Sequence, residues 1–194
     1  VSVTLDELTA CGAHRRGHFR LSSGLHSGDY LQCALFLAHP IRAERAGLEL
    51  GESLRAAGSA PDVVVAPAMG GLIIGHEVAR ALDRPFIFTE RKDGAMTLRR
   101  GFAVASGQTV VIVEDVVTTG KSTRETIDVI ENLGGEVVAM ASLVNRSGSP
   151  EPFAPLKLHA LVTTSFPIWS PEDCPLCAQG LAIDTPGSRP LGAV

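Results

Sequence analysis

Apolar residues in this chain fall into short, dense runs separated by polar turns. Residues 62–66, DVVVA, form one such run, rich in β-branched side chains, and PAMGG follows at once. That order predicts a buried strand ending in a glycine-rich turn. Over residues 72–82, Ile73, Ile74, Val78, Ala81 and Leu82 recur at helical spacing, with Glu77 and Arg80 on the opposite face. PFIFT at 85–89 supplies the next strand. Residues 110–113 are expected to form another, followed by a helix over 122–133 that turns Thr126, Ile127, Ile130 and Leu133 to the sheet and stops at Gly134-Gly135. Residues 137–144 and 158–163 are two further strand candidates. Strands alternating with helices predict an α/β fold: a parallel sheet with helices on both faces and a ligand site at the C-terminal strand ends.

Three stretches break the alternation. Residues 1–45 hold FRLSSGLHSGDYLQCALF, with polar and glycine-rich turns beside apolar residues, and residues 165–194 are proline-rich. The two are expected to pack together as a small hood lobe, largely from the N-terminal segment, leaving about 46–164 as the core of a single domain over 1–194. ERKDGAMTLRRG at 90–101 reads as a mobile charged loop.

Composition narrows the function classes. Of 194 residues, 45% are hydrophobic and 20% charged, values of a globular protein, and no apolar run approaches the roughly 18–20 residues of a membrane span. VSVTLDELTACGAHRRG at the N-terminus lacks the order of a signal peptide, so a cytoplasmic protein is expected. The net charge of −4 argues against general nucleic-acid binding, which relies on Lys and Arg. Any anionic substrate must be held by local features.

Residues 110–123, VVIVEDVVTTGKST, carry such features. Glu114 and Asp115 end a very apolar strand, where unpaired charge is costly. Thr118, Thr119, Gly120, Lys121 and Ser122 then supply hydroxyls and a flexible turn at a helix N-terminus, which suits a phosphate monoester. The carboxylates can accept hydrogen bonds from the vicinal hydroxyls of a ribose. An ordinary capped helix competes about evenly for TTGKST alone, and the acidic pair weakens that reading. A Walker A loop would need glycine five positions before Gly120, where Asp115 stands.

This run resembles the phosphoribosyl pyrophosphate signature of the type I phosphoribosyltransferases, and its TTG form is similar to the orotate branch. GHFRLSSGLHSGDYLQ at 17–32, APAMGGLIIGHEVAR at 66–80, ERKDGAMTLRRGF at 90–102, LVNRSG at 143–148 and the tail CPLCAQG with PGSRP agree in order with that family. The resemblance implies a type I phosphoribosyltransferase-like sheet and hood. It implies Mg²⁺-dependent transfer of ribose 5-phosphate from phosphoribosyl pyrophosphate to orotate, in pyrimidine nucleotide synthesis. Glu114, Asp115, Val116, Val117, Thr118, Thr119, Gly120, Lys121 and Ser122 would then bind the ribose phosphate. Arg146 would pair with the orotate carboxylate, and Tyr30 and Leu31 would present backbone to the ring. Lys92 and Arg91 match the start of the family's catalytic loop, shared between the subunits of a homodimer, and Mg²⁺ would be held mainly through the substrate. Catalytic roles are thus expected of Lys92, Arg91, Asp115 and Glu114.

The chain departs from the family pattern in three places. Ser22 stands where many relatives have lysine, Met69-Gly70 where they have Tyr-Lys, and Arg99-Arg100 in place of a further lysine and histidine. Backbone N–H groups of the Met69-Gly70-Gly71 turn are the expected replacement at the pyrophosphate. A purine-specific enzyme would share residues 110–123 but would have little use for Arg146, and a DNA-binding regulator of this fold would need a basic segment that is missing. Cys174 and Cys177 form a CxxC pair that supplies only half of a structural zinc site. His159, His14 or a second subunit would have to complete it; two packed thiols are the simpler reading.

Overall fold

The computed structural model describes residues 2–21 and 23–186. Its elements run α1 (Leu5–Ala10), β1 (His14–Arg20), β2 (His26–Leu31), α2 (Cys33–Leu37), α3 (Pro40–Ala56), β3 (Val63–Pro67) and α4 (Gly71–Leu82). They continue through β4 (Phe86–Lys92), β5 (Ala95–Leu98), β6 (Thr109–Val117), α5 (Lys121–Asn132), β7 (Glu136–Asn145), β8 (Leu158–Thr163), β9 (Ile168–Trp169) and α6 (Pro175–Ala178). Six strands form one sheet in the order β5-β4-β3-β6-β7-β8, parallel except for the edge strand β5.

The apolar runs become central strands because both of their faces are covered. Val64, Val111, Val113, Ala139, Ala141 and Leu143 pack under α1 to α4, against Leu8, Phe36, Leu50, Leu54, Ile74 and Val78. Val63, Val65, Val110, Ile112, Val137 and Met140 face the other way, toward Ile130 of α5 and Phe153. Helix α3 approaches α4 closely because Gly47 lacks a side chain: a Cβ there would sit 2.6 Å from the Glu77 carbonyl carbon. Among the described residues no helix is long and apolar enough to cross a membrane.

The hood is a second, three-stranded sheet. Strands β1 and β2 pair antiparallel, and β9 from the tail adds to β2 through His26–Trp169 and Ser27–Ile168. Farther along the tail, Asp184 bridges to Phe19. Helix α3 begins at Pro40, so a hood boundary at residue 45 would cut a continuous helix whose Ala43, Ala46 and Leu50 are buried in the main core.

Residues 90–101 depart from the expected mobile loop. Strands β4 and β5 pair from Thr89–Leu98 to Lys92–Ala95, with Asp93 and Gly94 at φ 53° and 86° making the turn. Two left-handed residues fit the twist of a tight hairpin, and Asp-Gly is the sequence that accepts them. The charges masked that signal.

Glycine to alanine inside a helix ordinarily stabilises by roughly 0.5–1 kcal/mol. At Gly47 the sign is expected to invert, because the new methyl must push α4 away from α3. Urea unfolding of Gly47→Ala should show a loss of about 1–3 kcal/mol; a gain would mean that the helices can separate freely.

Candidate active site

Strand β6 is buried from Val110 to Val113 and carries its apolar run directly into two acidic residues. Glu114 is only 7% exposed. Its Oε2 accepts a hydrogen bond from the Ser122 hydroxyl at 2.9 Å. Asp115 Oδ1 accepts from the N–H of Val116 at 2.8 Å. Among the described residues neither carboxylate takes part in an ion pair. Burial, followed by the Asp115 charge, pushes Glu114 up to about 8, and burial raises Asp115 as well. A buried acidic pair without a cation costs stability unless a ligand engages it.

The chain then turns into α5. Gly120 sits at φ 72° with its α-carbon face against Phe153, where a Cβ would be 2.7 Å from the ring. A side chain is therefore excluded on both conformational and steric grounds. The N-cap residue of α5 is Gly120, which has no side chain to cap the helix, while Thr118 and Thr119 are exposed. Thr119 Oγ1 accepts a long bond, 3.4 Å, from the Lys121 N–H, so a capping contact is present and weak, and both hydroxyls still face outward toward a ligand. Free N–H groups at a helix start, with adjacent hydroxyls, suit a phosphate.

Two neighbouring strands complete the surroundings. The Met69-Gly70-Gly71 turn after β3 presses on Asp115: a Cβ on Gly70 would lie 2.6 Å from Asp115 Oδ1. That turn also starts α4, again with no side-chain cap. Arg146 follows β7, and its N–H donates to the Val117 carbonyl at 2.8 Å, fixing it beside the turn that leads into α5. Its guanidinium lies 5.8 Å from the Phe166 ring centre. Burial draws Arg146 below its ordinary value, with the charge of Asp29 opposing and Cys33 and Tyr30 adding to it. Tyr30 and Leu31, at the end of β2, are half-buried on the hood side, and Leu31 packs against the main core.

The hairpin cations divide. Arg91 pairs with Glu125 of α5 and donates to the Gly94 carbonyl at 2.9 Å. Arg99 and Arg100 both pair with Glu90, at 3.4 and 3.0 Å. Lys92 is exposed and, among the described residues, makes no ion pair. Ser22 and the end of the PGSRP motif lie outside the described residues.

Some of the surroundings had no local signal in the sequence. Phe166 stacks on His14 with ring centres 5.1 Å apart and planes within 3°. His14 in turn lies 2.8 Å from Asp29 Oδ1 and 2.9 Å from Thr9 Oγ1. These residues meet Arg146 only through the tail's return. His159, by contrast, is on β8 with Nδ1 2.8 Å from Ser53 Oγ, away from the tail cysteines.

Comparison with known proteins fits this geometry. The family described as phosphoribosyl transferase domain matches residues 36–157. An orotate phosphoribosyltransferase of Carboxydothermus hydrogenoformans is 50% identical over 173 residues, covering 89% of this chain and 90% of its own. One from Pelotomaculum thermopropionicum is 46% identical over 193 residues, covering 97% of this chain and all of its own length (100%). The crystal structure of orotate phosphoribosyltransferase from Aeropyrum pernix superposes with a TM-score of 0.65 at 29% identity, covering 81% of this chain and 92% of that one. The chain therefore belongs to the phosphoribosyltransferase family, among the orotate phosphoribosyltransferases.

Proposed function

We propose that this protein transfers the 5-phosphoribosyl group of phosphoribosyl pyrophosphate to N1 of orotate, giving orotidine 5′-phosphate and pyrophosphate for pyrimidine nucleotide synthesis. The observation that carries this reading is the pair of buried Glu114 and half-buried Asp115 directly beside a hydroxyl-bearing helix start whose N-cap is glycine. The 5-phosphate sits on Thr118 to Ser122 and the two ribose hydroxyls donate to the carboxylates. Arg146 holds the orotate carboxylate with parallel hydrogen bonds, and Phe166 gives the guanidinium and the base a flat neighbour. Tyr30 and Leu31 contribute the hood wall behind the ring.

In the reaction the bond from ribose C1 to pyrophosphate breaks, and orotate N1 supplies the electron pair of the new bond from the opposite face. Positive charge grows on the sugar and negative charge on the leaving group. Glu114 and Asp115 hold the sugar in place and favour its positive charge, without forming a covalent bond. Lys92, the hairpin cation that makes no ion pair among the described residues, is assigned to the pyrophosphate, while Arg91, Arg99 and Arg100 rest on acidic neighbours. The N–H groups of the Met69-Gly70-Gly71 turn, at the start of α4, meet the same group. The unpaired carboxylates also suit Mg²⁺ brought in with the donor, which when bound neutralises the pyrophosphate. The enzyme acts in the cytoplasm as a homodimer, with hairpin 90–101 completing the neighbouring site.

Protein incubated with Mg²⁺ and phosphoribosyl pyrophosphate is expected to consume orotate, read as loss of its ultraviolet absorbance. Turnover of adenine or hypoxanthine with none of orotate would overturn the assignment. Arg146→Ala is expected to raise the orotate KM roughly 30-fold or more while leaving the donor KM near its starting value; equal rises in both would remove Arg146 from the base site.

Glu114 gives a pH test. Its carboxyl holds a proton up to about 8 in the folded chain against an ordinary 4.5, so its contribution to stability is full below 4.5 and is lost as pH rises through 8. Glu114→Gln removes that loss and can still accept the Ser122 hydroxyl. Without ligands, this variant should exceed the parent by about 1–3 kcal/mol at pH 8, with the gain shrinking toward pH 5. Its turnover should fall about a hundredfold. A pH-independent difference would show that Glu114 is not the group that titrates.

A further inference from the structure

The tail cysteines meet two histidines from the other end of the chain. His18 of β1, His26 of β2, Cys174 just before α6 and Cys177 within it place one ligand atom each in a cluster whose members all lie within 4.8 Å of one another. We propose that these four side chains bind one zinc ion, which fastens the C-terminal tail to the hood.

The distances support a closed tetrahedral site. With Zn–N near 2.05 Å and Zn–S near 2.3 Å, the edges of a tetrahedron come to about 3.3 Å for N–N and about 3.6 Å for N–S. His18 Nε2 and His26 Nδ1 are 3.1 Å apart. Cys174 Sγ and Cys177 Sγ are 3.5 and 3.6 Å from His18 Nε2, and Cys177 Sγ is 3.3 Å from His26 Nδ1. His18 Nδ1 is 2.9 Å from the Leu181 carbonyl, so it donates there and leaves the Nε2 lone pair facing the cluster. An outer hydrogen bond of this kind is what orients a metal-binding imidazole. His18, His26 and Cys174 are buried and Cys177 is exposed, so the cluster sits just under the surface with Cys177 at its rim.

Thiolate and imidazole in equal number, in tetrahedral array, favour zinc over the oxygen-seeking Mg²⁺ or Ca²⁺. The local architecture also needs a fastening. Helix α6 has four residues, none fully buried, and β9 has two. So little apolar burial cannot hold a chain segment by itself. The Pro167 carbonyl accepts the Ser27 hydroxyl at 3.0 Å, and Phe166 stacks on His14, so whatever secures Cys174 and Cys177 also secures the residues beside Arg146.

Protein purified without chelators from zinc-supplemented medium should contain about one zinc per chain by elemental analysis. Cys174→Ser and Cys177→Ser, singly and together, should lower bound zinc by about tenfold or more and reduce the melting temperature. Cys11→Ser, at the far end of α1, should retain the metal. Because the paired variants could fail to fold, cobalt-substituted parent protein gives an independent reading. It should show the intense visible bands of a tetrahedral site and a near-ultraviolet charge-transfer band of two thiolates. Fully reduced parent that takes up neither zinc nor cobalt overturns the proposal, as does folded Cys174→Ser/Cys177→Ser protein with undiminished zinc.

Discussion

The site depends on one electrostatic constraint: two adjacent carboxylates held at the end of a strand whose preceding residues are wholly apolar. Such a placement raises the energy of the free protein, because each oxygen leaves water without gaining a cation. What limits the cost is local. Ser122 donates to Glu114, the Val116 N–H donates to Asp115, and the start of α5 brings its positive end close by. The remaining acceptor capacity is what a ribose and its metal-bound pyrophosphate would use. Burial holds the Glu114 carboxyl above its ordinary range, which is the mark of that demand.

Glycines set how closely the neighbouring strands can approach this centre. Gly70 allows the turn after β3 to lie against Asp115, and Gly120 allows the turn before α5 to lie against Phe153. Both are positions where any side chain would push apart elements that must converge on a small ligand. The departures from the family pattern at Met69-Gly70 make sense in this light. Where relatives carry larger side chains, this chain has room for backbone to approach Asp115 at a helix start that has no side-chain cap.

The hood and tail meet beside Arg146 through contacts between segments from the two ends of the chain. His14, Asp29, Phe166 and Arg146 form a continuous stack of rings and charges, although His14 and Phe166 are far apart in sequence. The His18, His26, Cys174 and Cys177 cluster fastens the same two segments a short distance away. The hairpin of β4 and β5 is held differently, by Arg91 on Glu125 and by Arg99 and Arg100 on Glu90. Exposed ion pairs of this sort are individually weak.

Local pattern by itself determined the α/β alternation and drew attention to residues 114–122, because each rests on near neighbours: dense β-branched runs, helical spacing, and a carboxylate pair six and seven residues before its helix start; it left β6 too short, ending at residue 113 where the strand continues to Val117. It also held the Asp-Gly turn of the hairpin, which the surrounding charges obscured. Helix α3 was less legible, since its alanines and glycines become a buried face only against α4. Only the tertiary structure decided which distant groups share a site. Nothing near Cys174 points to His18, and nothing near Arg146 points to Phe166. Those pairings follow from the tail crossing back over the hood, where β9 joins β2 and the tail cysteines meet His18 and His26.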